Sequence, residues 1–323
     1  MRIAVEAWSP EYGSGFELGE PDEVSVEKVE TGCELKEWTA ITPASAPPSH
    51  QPIAFVDGTR RIDARVFVMN GDGAATPGVA GTVGVGAVLC ETNGNGRRAR
   101  CAEIQISRLL AVGDGLSQGL SAGPGLEYQG LPVPGQSTDR LVDEVHNSMR
   151  AREAQVAQTL ADRDHLVFAD GPLAVVAPGP RSIIGFIKAH ARRYLPPDKE
   201  AVLAHLGCGQ RTPVFAFGEL RARYSWYVRL CPPERGMHGW FGIARCEVPA
   251  ALAMDRVVEL ANISASLLPG FASQPFWDKR APQNLVPIAG LEKRLRHLMG
   301  ERELVYRMIR SAAKRVGEGE TDV

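Results

Sequence analysis

Ile53-Ala54-Phe55-Val56-Asp57-Gly58 and Leu166-Val167-Phe168-Ala169-Asp170-Gly171 are two near-copies of one pattern. Each is an unbroken apolar run, the mark of a strand covered on both faces, followed at once by Asp-Gly. Taken singly, Asp-Gly after a strand is a turn. The repetition suggests more: two central strands that end in a carboxylate bring two acids to one edge of a sheet, where open α/β folds place their sites.

The surrounding sequence supports an α/β class. Residues 1–49 alternate short β-like pieces (Arg2–Trp8, Glu23–Val29) with Gly and Pro and end in the linker-like Pro43–Pro48, which reads as an N-terminal β appendage. Ile53–Val56, Arg61–Met69 and Gly81–Cys90 form a three-strand meander, and Ala102–Val112 is a strand or a short helix. Behind a Ser137 or Thr138 cap, Asp139–Leu160 holds no Gly or Pro and predicts a long helix. After strand Leu166–Ala169 we expect helix Ser182–Tyr194, strands Pro213–Gly218, Ser225–Cys231 and Trp240–Val248, and helices Ala250–Leu267, Leu291–Met299 and Glu303–Arg315. Gly317–Val323 reads as a disordered tail, leaving residues 50–316 as one domain with a mixed sheet flanked by helices.

The chain has 323 residues, 44% hydrophobic and 23% charged, enough for a full core. Its net charge of −2 excludes a protein that holds nucleic acid by bulk positive charge. Apolar runs such as Leu173–Pro178 fall far short of the roughly 20 residues of a membrane span, so a cytoplasmic protein is expected. Six scattered cysteines show no CxxC pair, and so no zinc or disulfide framework is expected. The Gly-rich 71–86 stretch lacks Gly-Lys-Ser/Thr and reads as a hairpin loop rather than an ATP site.

A third acid comes from the long helix. Its apolar stripe runs Val142, Val145, Met149, Val156, Leu160, and a rotation of 100° per residue puts Glu153 within about 40° of Met149 on that stripe. A glutamate facing the sheet needs a partner: a metal, or an ion pair with Arg61, Arg150 or Arg152. Three carboxylates without a neighbouring His or Cys suit a hard divalent cation, Mg²⁺ or Mn²⁺, and hence phosphodiester cleavage.

Phe55-Val56-Asp57-Gly58-Thr59-Arg60-Arg61-Ile62-Asp63-Ala64-Arg65, Arg150-Ala151-Arg152-Glu153 and Leu166-Val167-Phe168-Ala169-Asp170-Gly171-Pro172-Leu173 together resemble the NurA nuclease family. Ile184–Lys188 and Gly209–Pro213 extend the resemblance, which covers roughly residues 50–300. It implies an RNase H-like fold and a Mn²⁺-dependent DNA nuclease, exo- or endonucleolytic, in DNA end processing and double-strand break repair. It further implies a homodimer that works with a hexameric HerA-type ATPase. Asp57, Glu153 and Asp170 match that family's metal-binding, catalytic acids. The family's C-terminal Tyr and His have no counterpart His between Gly270 and Pro287, where Asn284 or Gln283 could serve as a neutral oxygen ligand. A catalytically silent scaffold that binds the ATPase or DNA is the alternative reading.

Arg60, Arg61 and Arg65 are either a solvated hairpin face or phosphate contacts beside the acids. Lys188, expected on a helix, either snorkels or meets a DNA phosphate, and Arg211 has the same two readings. His165 reads as a surface residue, and of Trp226 and Tyr227 one must face inward.

Overall fold

The computed structural model describes residues 29–44, 52–69, 75–93, 96–173, 181–190, 192–218, 222–233, 239–274 and 276–319. Its elements in chain order are β1 (Ile53–Met69), β2 (Ala75–Asn93), β3 (Gly96–Val112), β4 (Leu120–Ser121), β5 (Glu127–Pro132), α1 (Thr138–Asp162), β6 (Leu166–Asp170), β7 (Ile183–Ile187), the single turn α2 (Pro197–Glu200), β8 (Phe215–Phe217), β9 (Arg223–Arg229), β10 (Ile243–Pro249), α3 (Met254–Leu267), α4 (Val286–Leu298) and α5 (Arg302–Gly319). The fold is a mixed α/β one, strands flanked by helices, as the sequence predicts. The piece Arg2–Trp8, all of the second piece but Val29, and most of Pro43–Pro48 lie outside the described residues. So do Gly71–Gly73, Ala174–Pro178 and the end of the expected tail, whose first part continues α5 to Gly319.

The chain divides into two compact units. The first holds the described residues of Met1–Val56, Val88–Arg100 and Ala157–Gly290. Its strand order is β1-β6-β7-β10-β9-β8. Ile53–Val56 pairs in parallel with Leu166–Ala169, and β7 pairs in parallel with β6. β10, β9 and β8 then follow antiparallel. One sheet face packs on α3 through Phe55, Phe168, Phe186, Trp226, Cys246, Leu260 and Ile263, and Phe55 stacks on Phe168 at 5.4 Å. The other face carries Leu203, Leu206, Phe215, Tyr227 and Trp240. Trp226 and Tyr227 point to opposite faces as strand neighbours must, and since both faces are covered both are buried. Residues 29–44 pair with this unit: Glu30 bridges to Ala216 and Ile41 to Arg211.

One element differs in kind from expectation. Residues 183–187 form strand β7, not the start of a helix. Their spacing of isoleucines fits either form, but all five residues are buried, and a Cβ at Gly185 would meet the Gly171 carbonyl oxygen at 2.9 Å and Glu247 Cγ at 3.0 Å. A two-sided buried run fits an extended chain flanked by strands on both sides.

The second unit comprises Asp57–Ala87, Cys101–Val156 and the described residues of Leu291–Val323. Its strand order is β4-β5-β3-β2-β1, with β3 and β5 parallel and β4 antiparallel to β5. The meander is built from longer strands than expected: β1 runs unbroken to Met69, so Asp57-Gly58 lies inside a strand and is no turn. Residues 102–112 are strand. Val305, Ile309 and Ala312 of α5 pack on Ala64, Ala80, Leu110 and Val112. Val145 of α1 lies over Gly81, where a Cβ would stand 2.8 Å from Val145 Cγ1. Among the described residues no helix is long and apolar enough to cross a membrane.

Candidate metal centre

In the first unit, Asp170 closes β6. Gly171 turns the chain with φ +91°, and its N–H donates to Phe186 O at 2.8 Å. Beyond the turn the Leu173 N–H donates to Glu247 Oε1 at 2.9 Å, and Arg223 Nη2 donates to Leu173 O at 2.7 Å. Arg245 Nη1 holds the other Glu247 oxygen at 2.7 Å. Glu247 is 2% exposed, so this buried, charge-compensated clamp fixes the backbone on which Asp170 sits.

The two oxygens of Asp170 have different environments. Oδ2 accepts from Lys188 Nζ at 2.6 Å. Oδ1 is buried and accepts no hydrogen bond among the described residues. Lys188, which follows β7 rather than lying on a helix, also donates to Asn284 Oδ1 at 3.1 Å. The Asn284 amide donates in turn to Asp278 Oδ2 at 2.7 Å. The amide oxygen proposed from sequence as a fourth ligand is therefore directed at Lys188.

In the second unit, Asp57 is 5% exposed and its Oδ1 accepts from the Gly58 N–H at 2.8 Å. Glu153 reaches the sheet, as its stripe position requires: a Cβ at Gly58 would stand 3.0 Å from Glu153 Cδ and 3.0 Å from Met149 Cγ. Gly58 is thus needed for the close approach of α1. An acid that the sequence reading misses joins here, since Asp57 and Glu292 each offer a carboxylate oxygen within 4.8 Å of the other. The signal for Glu292 is present in the chain. It lies four residues after Ile288 and three before Leu295, both buried on α4, by the same arithmetic that singles out Glu153. Starting that helix at Leu291 hides Ile288 and with it the stripe.

Within the first unit, Val56 of β1 pairs with Ala169 of β6, the residue before Asp170.

The basic residues divide. Arg60 is exposed, its Nε donating to His146 Nδ1 at 3.2 Å. Burial, then the Arg150 and Arg60 charges, hold the His146 imidazole below its usual range. Arg61 is structural: it donates to Asp63 Oδ1 at 2.7 Å and to the carbonyls of Gly300 and Met299, just past the end of α4. Thr82 Oγ1 at 2.5 Å and Tyr128 Oη at 2.8 Å donate to Asp63 Oδ2, which Arg108 Nη1 also approaches at 4.0 Å, and burial, with the Asp63 charge, pushes the Tyr128 phenol up to about 12. Arg211 is 1% exposed and forks onto both Glu34 oxygens at 2.7 and 2.8 Å. It tethers the N-terminal segment instead of facing a phosphate, because Glu34 compensates its buried charge and Asn262 Oδ1 and the Thr212 carbonyl accept its remaining donors. His165 is half-buried, with Nδ1 near the Leu160 carbonyl.

No protein-family model matches the chain, and no curated protein matches it. Among solved structures, the NurA nuclease from Sulfolobus solfataricus is similar to it, with a TM-score of 0.48 and 11% identity over 86% of this chain and 88% of that one.

Proposed function

We propose that this protein is a divalent-metal-dependent phosphodiesterase acting on DNA. The observation that carries the reading is the Asp170 carboxylate, one oxygen saturated by Lys188 and the other buried without a hydrogen bond among the described residues. A buried anionic oxygen in that condition is costly unless a cation meets it. In this reading the three acids singled out by the sequence, Asp57, Glu153 and Asp170, hold Mn²⁺ or Mg²⁺ as all-oxygen donors suited to hard cations, and Glu292, with a carboxylate oxygen within 4.8 Å of Asp57's, adds a further acid beside Asp57. Bound there, such an ion would supply an activated water and neutralise charge on the scissile phosphate. Water attacks phosphorus, the P–O ester bond breaks, and a phosphomonoester and a hydroxyl end result. Arg60, exposed three residues beyond Asp57, and Lys188 orient the phosphate. The finer expectations follow from the family resemblance: exo- or endonucleolytic DNA end processing as a homodimer fed by a HerA-type ring ATPase. Net charge −2 and the absence of an ATP-binding motif leave DNA delivery to such a partner.

The test is cleavage of linear duplex and single-stranded DNA by the purified chain with Mn²⁺, with Mg²⁺ and with EDTA. Cleavage that needs the metal and disappears in Asp57→Asn and Asp170→Asn supports the reading. A protein that binds Mn²⁺ yet cuts nothing, with or without the ATPase, would favour the scaffold alternative.

A further inference from the structure

Lys188 places a fixed positive charge on the acid that the proposed cation needs. Its Nζ lies 2.6 Å from Asp170 Oδ2, with both side chains 15% exposed. The contact is built from further groups in the same unit. Asn284, 0% exposed, presents its amide oxygen to the same ammonium at 3.1 Å, and that amide is oriented by its own donation to Asp278 Oδ2. Asp278 is anchored in turn by the Arg280 backbone N–H at 2.7 Å. The result is a chain of four side chains, Asp278, Asn284, Lys188 and Asp170, that ends on one oxygen of the acid and leaves the other to a second cation.

We infer that Lys188 is a built-in counterion that lowers the divalent-metal affinity of this centre, so that it loads only above a threshold metal concentration. This rests on the metal-site reading above and specifies its regulation. With Lys188 paired to Asp170, an incoming divalent ion meets a carboxylate whose charge is already compensated and is repelled by the ammonium held on its other oxygen. Asn284 is a positioning residue here: its fixed oxygen accepts from Lys188 and keeps the ammonium on Asp170.

The experiment is Mn²⁺ titration of the full chain without DNA, by calorimetry and by Mn²⁺ electron paramagnetic resonance, on the wild type, Lys188→Met, Lys188→Gln and Lys188→Arg. Lys188→Met and Lys188→Gln should bind Mn²⁺ about tenfold more tightly than the wild type, and Lys188→Arg, which keeps the charge, should bind as the wild type does. Melting temperatures show the same exchange. In EDTA the neutral variants should melt below the wild type, and saturating Mn²⁺ should raise them by more. Unchanged or weaker Mn²⁺ binding by both neutral variants, in a wild type that binds the ion and cuts DNA, overturns the inference and leaves the nuclease reading standing. If neither wild type nor variants bind Mn²⁺, the metal centre itself fails and takes the inference with it.

Discussion

Asp57-Gly58 and Asp170-Gly171 look interchangeable in the sequence, yet each glycine has its own physical reason. Gly171 adopts φ +91°, a conformation that L side chains rarely take, and ends a strand. Gly58 lies within β1, where Met149 and Glu153 of α1 leave no room for a Cβ. The acids differ as well. Asp170 is partly neutralised by Lys188, whereas Asp57 has a second carboxylate, Glu292, within 4.8 Å. A dipeptide therefore specifies the acid but not the environment that tunes it.

The largest effect should come from removing either charge. Asp57→Asn and Asp170→Asn should each lower Mn²⁺-dependent cleavage by more than about a hundredfold, since even residues that only support metal ligands are worth roughly 10–100-fold. Their stabilities without metal should diverge. Asp57→Asn removes one of two neighbouring like charges, so its melting temperature in EDTA should match or exceed the wild type's. Asp170→Asn strips Lys188 of its ion pair, and its melting temperature should fall. Scanning calorimetry in EDTA reads both, and a fall in both would mean that the Asp57–Glu292 proximity carries no repulsion.

The glycines come next. Gly58→Ala forces a methyl group against Glu153 and Met149, and should cost about 1–3 kcal/mol in urea unfolding while displacing the Glu153 carboxylate and lowering cleavage. Gly171→Ala meets no atom within 4 Å, so its cost is the backbone strain alone, about 1–2 kcal/mol. Equal losses of activity in the two variants would mean that crowding at Gly58 does nothing to place Glu153.

The legible and illegible parts of the chain follow the same division between local pattern and tertiary context. Two-sided apolar runs identify β1, β6 and the strands after them, and the Met149 stripe identifies Glu153, because these signals are local. The helix expected at Ser182–Tyr194 gives way to a strand because Ile183, Ile184 and Ile187 satisfy a helix and a buried strand equally, and only the pairing with β6 and β10 on either side decides. Glu292 escapes notice when α4 is started at Leu291, since the observed first turn from Val286 carries the buried Ile288 that defines its stripe. Arg211 is unreadable as a structural cation because its partner Glu34 is 177 residues away in sequence, and for Arg61 only Asp63, two residues on, is local, whereas the Gly300 and Met299 carbonyls meet it on folding.

The smallest predicted effect tests how far the environment of Asp57-Gly58 extends along β1. Arg60, two residues past Gly58, donates to Nδ1 of His146, so this nitrogen must be unprotonated. The His146 pKa is depressed, by burial first and then by Arg150 and Arg60. A histidine whose folded value lies below its unfolded one contributes stability above the unfolded value, about 6.5, and loses it as pH falls through the folded value. The side chain is only partly buried and solvent screens it, so the change is small. On lowering the pH from about 7.5 to about 5, the wild-type melting temperature should fall by about 1 °C more than that of His146→Gln, which cannot titrate. Differential scanning fluorimetry of the two proteins side by side measures it. Parallel curves across that range would mean that the Arg60–His146 hydrogen bond contributes nothing to the fold, and that the environment particular to Asp57 ends at Gly58.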